Sequence, residues 1–370
     1  MAMGFVQCGV VRLRSGRGSA RCSNGGIWMV AAGYGNAEAY GSEVSKTDSR
    51  PLQLEGCDLY LPEEEITSIV HFTPGALVSS QPHLFYGNFL SSLSDFGIAI
   101  ISTPYDTSFD HLKLGKDVAT KYVNAYAALL PRLPNTWVPT FGMGHSLGAK
   151  LQVLMNCVPE IRQRFPPRAS NVLISYNNFD SAESIPAYEN IIDGLRVLES
   201  LNPLLDSVGV AMGVDLKSSR FRDINIEQIF DNLRNFTGDV DPPTSVFESM
   251  VRNSYAVPDN CVISFATDSI DQSDILEADL RGRHGKRTVR RPLAGTHLTP
   301  MMPASDELRD FGLGRDLQNY LQETVQSVRT QYDKEFQDLV VTTVAFLRLM
   351  EEDCNRRLLG PGQESSTMER

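Results

Sequence analysis

The sequence predicts an α/β fold, α/β-hydrolase-like in layout: a mostly parallel central sheet with helices on both faces and a helical cap insertion. Three observations lead there. Strand-like and helix-like segments alternate from residue 52 to residue 300, a glycine-flanked serine joins one such strand to one such helix, and a long helical stretch interrupts the alternation.

Residues 56–61 and 67–72 read as strands, 83–95 as a helix and 98–102 as a buried strand, because each apolar run is short and bounded by turn formers. Leu114, Val118, Tyr122, Ala125 and Leu129 recur every three or four positions and predict a longer amphipathic helix. Further strands are expected up to residue 141, then at 171–176, 261–265 and 288–293. The interval 178–258 is too long for one crossover, looks helical and is broken by Pro186, Pro203 and Pro242-Pro243. It reads as a cap over the cleft, or as a surface excursion unrelated to substrate. A long helix is expected from 315 to 356, and the domain boundaries fall at 1–50, 51–358 and a disordered tail at 359–370.

With 370 residues, 42% hydrophobic and 21% charged, the chain has material for a sizeable core. A net charge of −11 argues against a general nucleic-acid binder. No apolar run reaches the length of a membrane span; peripheral membrane contact and oligomeric state stay open. The six cysteines are scattered and form no metal-binding or disulfide pattern, which suits a reducing compartment. Arg12, Arg14, Arg17 and Arg21 lie in a serine-containing leader without an acidic residue before Glu38. That bias is the composition of an organellar transit peptide, for chloroplast or mitochondrion alike.

Gly144-His145-Ser146-Leu147-Gly148 follows a strand and precedes a helix. Glycines two residues either side of a serine suit a turn too sharp for larger side chains, the nucleophile elbow of an α/β-hydrolase. A serine hydroxyl needs a base, itself oriented by an acid. Of six histidines, His145 sits within the elbow and His71, His83 and His111 precede the nucleophile, whereas this architecture draws its base from the chain's end. His284 lies in the basic stretch 281–291, which reads as a solvated face or as a receiver for an anionic head group. His297, directly after the last strand, is the candidate base. Asp268 comes first in the loop after the preceding strand and is the candidate acid, with Asp271 as the alternative acid or a helix cap. Two oxyanion donors are expected: the N–H of Leu147, and in the loop 73–77 that of Ala76 or a neighbour, Pro74 having none.

With those residues in view, the chain resembles an uncharacterised α/β-hydrolase-like family of plants, algae and cyanobacteria, the domain-of-unknown-function family 1350. The resemblance runs from about Leu52 to Pro300. It rests on Val70-His71-Phe72 leading into Pro74-Gly75-Ala76, on Gln81-Pro82, on Ser102-Thr103-Pro104-Tyr105 and on Phe109-Asp110-His111. The elbow, Asp268-Ser269-Ile270-Asp271-Gln272 and Gly295-Thr296-His297-Leu298-Thr299-Pro300 complete it. Membership implies a plastid protein. The expected activity is a serine esterase, lipase or thioesterase acting on a small-molecule or lipid acyl substrate, without cofactor or metal. Acyl transfer through the same three residues, or a non-catalytic scaffold, are the alternatives.

Overall fold

The computed structural model describes residues 51–76, 78–133, 137–180, 183, 239–301 and 315–359, together with the pairs 11–12 and 19–20. The side chains of the last helix are described from residue 333 to residue 358. Val11–Arg12 and Ser19–Ala20 form a two-residue antiparallel pairing apart from the main sheet. The expected leader (1–50) otherwise lies outside the described residues, as do residues 360–370 of the expected tail, whose first residue Leu359 ends the last helix, and most of the expected cap, 184–238.

Eight strands make the sheet: β1 Leu52–Leu54, β2 Cys57–Tyr60, β3 Ser68–Thr73, β4 Ile98–Ser102, β5 Thr140–His145, β6 Arg168–Ile174, β7 Asp259–Phe265 and β8 Thr288–Leu293. Their spatial order is β1-β2-β4-β3-β5-β6-β7-β8. β2 runs antiparallel to both neighbours and every other pairing is parallel. The helices are α1 Pro82–Ser94, α2 His111–Leu129, α3 Leu147–Cys157, α4 Pro159–Arg162, α5 Thr244–Ser254, α6 Ser273–His284 and α7 Arg315–Leu359.

Strand composition explains the centre. Ile69, Val70 and Phe72 of β3, Ile98 to Ile101 of β4, Phe141 and Met143 of β5 and Val172 to Ile174 of β6 are all fully buried. Strands covered on both faces read as continuous apolar runs, which is how they were recognisable. In α2 the stripe Leu114, Val118, Tyr122, Ala125 and Leu129 is buried as its period requires. α7 packs on α1 through Phe336, whose ring stands 6.4 Å from that of Phe89.

Two expectations change. β6 ends at Ile174 rather than 176, because Ser175 turns to a φ of 47° and breaks the ladder. The C-terminal part of the 178–258 interval is helix α5, which packs against α3 and α6 and belongs to the helical layer. β1 was not anticipated; it is three residues long and paired on one side only. Among the described residues no helix is long and apolar enough to cross a membrane.

Candidate active site

The parallel strands deliver their C-terminal loops to one edge of the sheet, where open α/β folds bind ligands. β5 delivers Ser146 there. The serine adopts φ 56° and ψ −124°, a region that non-glycine residues rarely occupy and that marks a strained turn. Its N–H donates to the Ile174 oxygen of the neighbouring strand at 2.9 Å. The flanking glycines are required by space. A Cβ on Gly144 would lie 2.3 Å from the Gly148 oxygen, and one on Gly148 would lie 2.0 Å from the Thr73 oxygen. The elbow is thus wedged against the end of β3.

β7 and β8 deliver the acid and the imidazole. His297 Nδ1 lies 2.8 Å from Asp268 Oδ2, so the ring donates there as its Nδ1–H tautomer. The second carboxylate oxygen accepts the Ile270 N–H at 3.1 Å. Burial alone would raise the Asp268 pKa, but the hydrogen bond and charge of His297 and the Ile270 N–H outweigh it and hold the carboxyl below its ordinary value. His297 Nε2, the nitrogen a nucleophile's base must use, is buried without a hydrogen-bond partner among the described residues, Ser146 included. The two loops are also tied by backbone: the Thr267 N–H and hydroxyl both donate to the Gly295 oxygen, at 3.0 and 2.6 Å.

Asp271, the alternative acid, lies elsewhere. Its Oδ1 accepts the Ser273 N–H and hydroxyl at the start of α6, and Arg290 stands 3.7 Å away. Desolvation, reinforced by the nearby Asp268 charge, lifts its pKa to about 6.

The two segments expected to supply oxyanion donors both reach the serine: Leu147 follows it directly, and a Cβ on Gly75 would lie 3.3 Å from Ser146 Cβ. Leu147 opens α3, so its N–H has no acceptor within the helix and points with the helix dipole. In the opposite loop the Gly75 N–H is occupied, donating to Tyr86 Oη at 3.1 Å, which leaves Ala76 as the next donor. Tyr105 Oη pins this loop by donating to the Pro74 oxygen at 2.8 Å. Leu77 lies outside the described residues.

Three residues that sequence reasoning passed over complete the surroundings. Asn177 Nδ2 donates to Ser146 Oγ at 2.9 Å. His145, fully enclosed and kept neutral by burial, bonds through both ring nitrogens. Nε2–H donates to the His297 carbonyl at 3.0 Å, so Nδ1 accepts from Tyr86 Oη at 2.8 Å. A continuous chain therefore runs Gly75 N–H, Tyr86, His145, His297 carbonyl. The signal in the sequence was the identity of residue 145 itself, an imidazole inside the elbow.

The basic stretch 281–291 is largely occupied within the protein. Arg281 pairs with Glu277, Arg287 with Asp259, and Arg290 with Asp274 and Glu277. Arg283 donates to the Tyr255 and Arg252 oxygens. A head-group receiver there is not supported, because most of these guanidinium groups already have acceptors.

Residues 52–310 match the family described as protein of unknown function (DUF1350), and the chain belongs to that family. No curated protein matches the chain. Among solved structures, it is similar to a thioesterase domain from the curacin biosynthetic pathway (14% identity, TM-score 0.38, covering 68% of this chain and 93% of that one). It is also similar to carboxyl esterase 2 from the mycorrhizal fungus Tuber melanosporum (14% identity, TM-score 0.42, 76% and 82% covered). A third is an inhibited esterase B from Lactobacillus rhamnosis (11% identity, TM-score 0.44, 81% and 84% covered).

Proposed function

We propose, from the premise that this DUF1350 chain folds as an α/β-hydrolase, that it is a serine hydrolase cleaving an ester or thioester through an acyl-enzyme. The observation that carries the reading is the 2.8 Å bond between His297 Nδ1 and Asp268, made at the sheet edge to which β5 brings a strained serine. Ser146 Oγ attacks the acyl carbon as its proton passes to His297 Nε2; Asp268 fixes the tautomer and stabilises the imidazolium. The carbonyl oxygen gains negative charge facing the N–H groups of Leu147 and Ala76. Collapse of this intermediate breaks the bond to the alcohol or thiol, which leaves with the proton from His297. Water then repeats the sequence and frees the acid.

Labelling of the full-length protein with a fluorophosphonate probe tests the reading. Wild type is expected to label, and Ser146→Ala and His297→Ala are not. A folded wild type that resists the probe as completely as Ser146→Ala would overturn it in favour of a non-catalytic scaffold.

The arginine-rich, acid-free leader before Glu38 supports a plastid location. A fluorescent protein fused behind residues 1–50 should enter chloroplasts; accumulation in mitochondria would overturn the assignment.

A further inference from the structure

Lys150 is enclosed in the core at 1% exposure, and its Nζ has no hydrogen-bond acceptor among the described residues. Three N–H donors are thereby idle, with the face of Phe247 as neighbour, 5.3 Å from Nζ to the ring centroid. His111, the first residue of α2, is buried too, and neither of its ring nitrogens has a hydrogen-bond partner among the described residues. Burial pushes Lys150 down to about 7, and it lowers His111 well below its ordinary value, the Lys150 charge adding to the effect. Buried polar groups normally find partners, so two unmatched basic groups within electrostatic reach of each other need an explanation.

Their position supplies one. Lys150 stands one helical turn after Ser146, and its N–H donates to the Ser146 oxygen at 3.3 Å. Helical side chains lean toward the N-terminus, here toward the serine's turn. A second path closes on the same spot. Asn177, which holds Ser146 Oγ, is followed by Asn178, whose Nδ2 donates to the Thr244 oxygen at 3.3 Å. Thr244 opens α5, and Phe247 lies one turn further along it. The N–H groups of His111 and Leu112 both donate to the Asp241 oxygen, just ahead of α5, at 2.8 and 3.2 Å. The first turns of α2, α3 and α5 thus meet around the two basic side chains, and α3 begins directly after the candidate nucleophile.

We propose that this buried pair forms a site for an anionic oxygen group, a carboxylate or a phosphate, carried by the acyl substrate, with Lys150 Nζ and the His111 imidazole as its donors. The inference rests on the reading of Ser146 as the nucleophile. It defines the substrate class as an ester or thioester bearing an acidic group near the attacked carbonyl, since the four residues from Ser146 to Lys150 rise only about 6 Å along the helix axis. An arriving anion favours the charged forms of both bases, so binding takes up a proton.

Thermal unfolding of the full-length wild type and of Ser146→Ala, with inorganic phosphate, succinate or chloride at equal ionic strength, tests the site apart from catalysis. Phosphate or succinate should raise the Tm of both proteins above the chloride control, and the stronger of the two identifies the preferred group. Lys150→Met should weaken that anion by on the order of tenfold or more, as expected for loss of a charge-assisted hydrogen bond, and His111→Asn should weaken it too. His111→Asn carries the test if Lys150→Met does not fold. No shift from either anion in wild type, or an undiminished shift in the folded variants, overturns the proposal. In a second measurement, wild type should hydrolyse the mono-4-nitrophenyl ester of glutaric acid in preference to 4-nitrophenyl butyrate, and His111→Asn should lose most of that preference. If fluorophosphonate labelling fails while the anion still stabilises Ser146→Ala, the nucleophile reading falls and the anion site stands.

Discussion

His145 Nε2 and the main-chain oxygen of His297 lie 3.0 Å apart, and that bond joins the turn bearing the serine to the loop bearing the candidate base. Through Tyr86 the same ring reaches the loop of Gly75. Three segments far apart in sequence are thereby fixed relative to one another by one neutral imidazole.

Removing the Tyr86 hydroxyl should therefore disturb more than packing. Tyr86→Phe leaves His145 Nδ1 and the Gly75 N–H unpaired inside the protein. An unmatched buried group costs about 1–3 kcal/mol, so unfolding by urea should show a loss of about 2 kcal/mol or more. Fluorophosphonate labelling should slow as the loops on both sides of the serine lose their restraint.

The two acidic candidates should separate cleanly. Asp268→Asn removes the acceptor that fixes the Nδ1–H tautomer of His297, and labelling should fall by about 10³–10⁴-fold. Asp271→Asn acts at the start of α6 and should leave labelling within about threefold of wild type. Equal losses in the two variants would reverse the assignment of the acid.

Stability against pH should also report on Asp271. Its pKa rises from 3.8 to about 6 on folding, so the native state holds this proton more tightly than the unfolded chain does. Its favourable contribution is complete below the unfolded value and is lost as pH climbs through about 6. Asp271→Asn should flatten that decline and leave the variant more stable than wild type above pH 6, by about 1 kcal/mol after allowance for solvent screening. Melting curves from pH 4 to pH 8 would show it.

Space at the elbow makes a harsher prediction. A methyl group on Gly148 meets the Thr73 and Pro74 oxygens at 2.0 and 2.4 Å, and both are backbone atoms that cannot swing aside as a flexible side chain would. Gly148→Ala should lose at least about 3 kcal/mol or fail to fold, as judged by circular dichroism and melting.

Much of this architecture was legible because both-face burial leaves continuous apolar runs: the strand 98–102, buried at every position, has the bounds its residues suggest. The pairing of Asp268 with His297 could be found because both stand in loops directly behind strands, where position along the chain predicts position in space. Asn177 offered no such cue, since its contact with Ser146 depends on how β6 ends beside the elbow. Lys150 was illegible for another reason: a lysine in a helix normally marks the solvent side, and only the arrival of α5 encloses it. The basic stretch is largely the solvated face its composition suggests, and what the composition did not give is its acidic partners Asp259, Asp274 and Glu277, which come from β7 and α6.

The link through His145 also governs how the protein wears out. Residues from near both ends of the sheet's sequence meet at that ring, so a C-terminal half cannot detach and leave a competent N-terminal remnant behind. Heating should silence catalysis and dissolve the architecture together, in one step, without an inert but still ordered species in between.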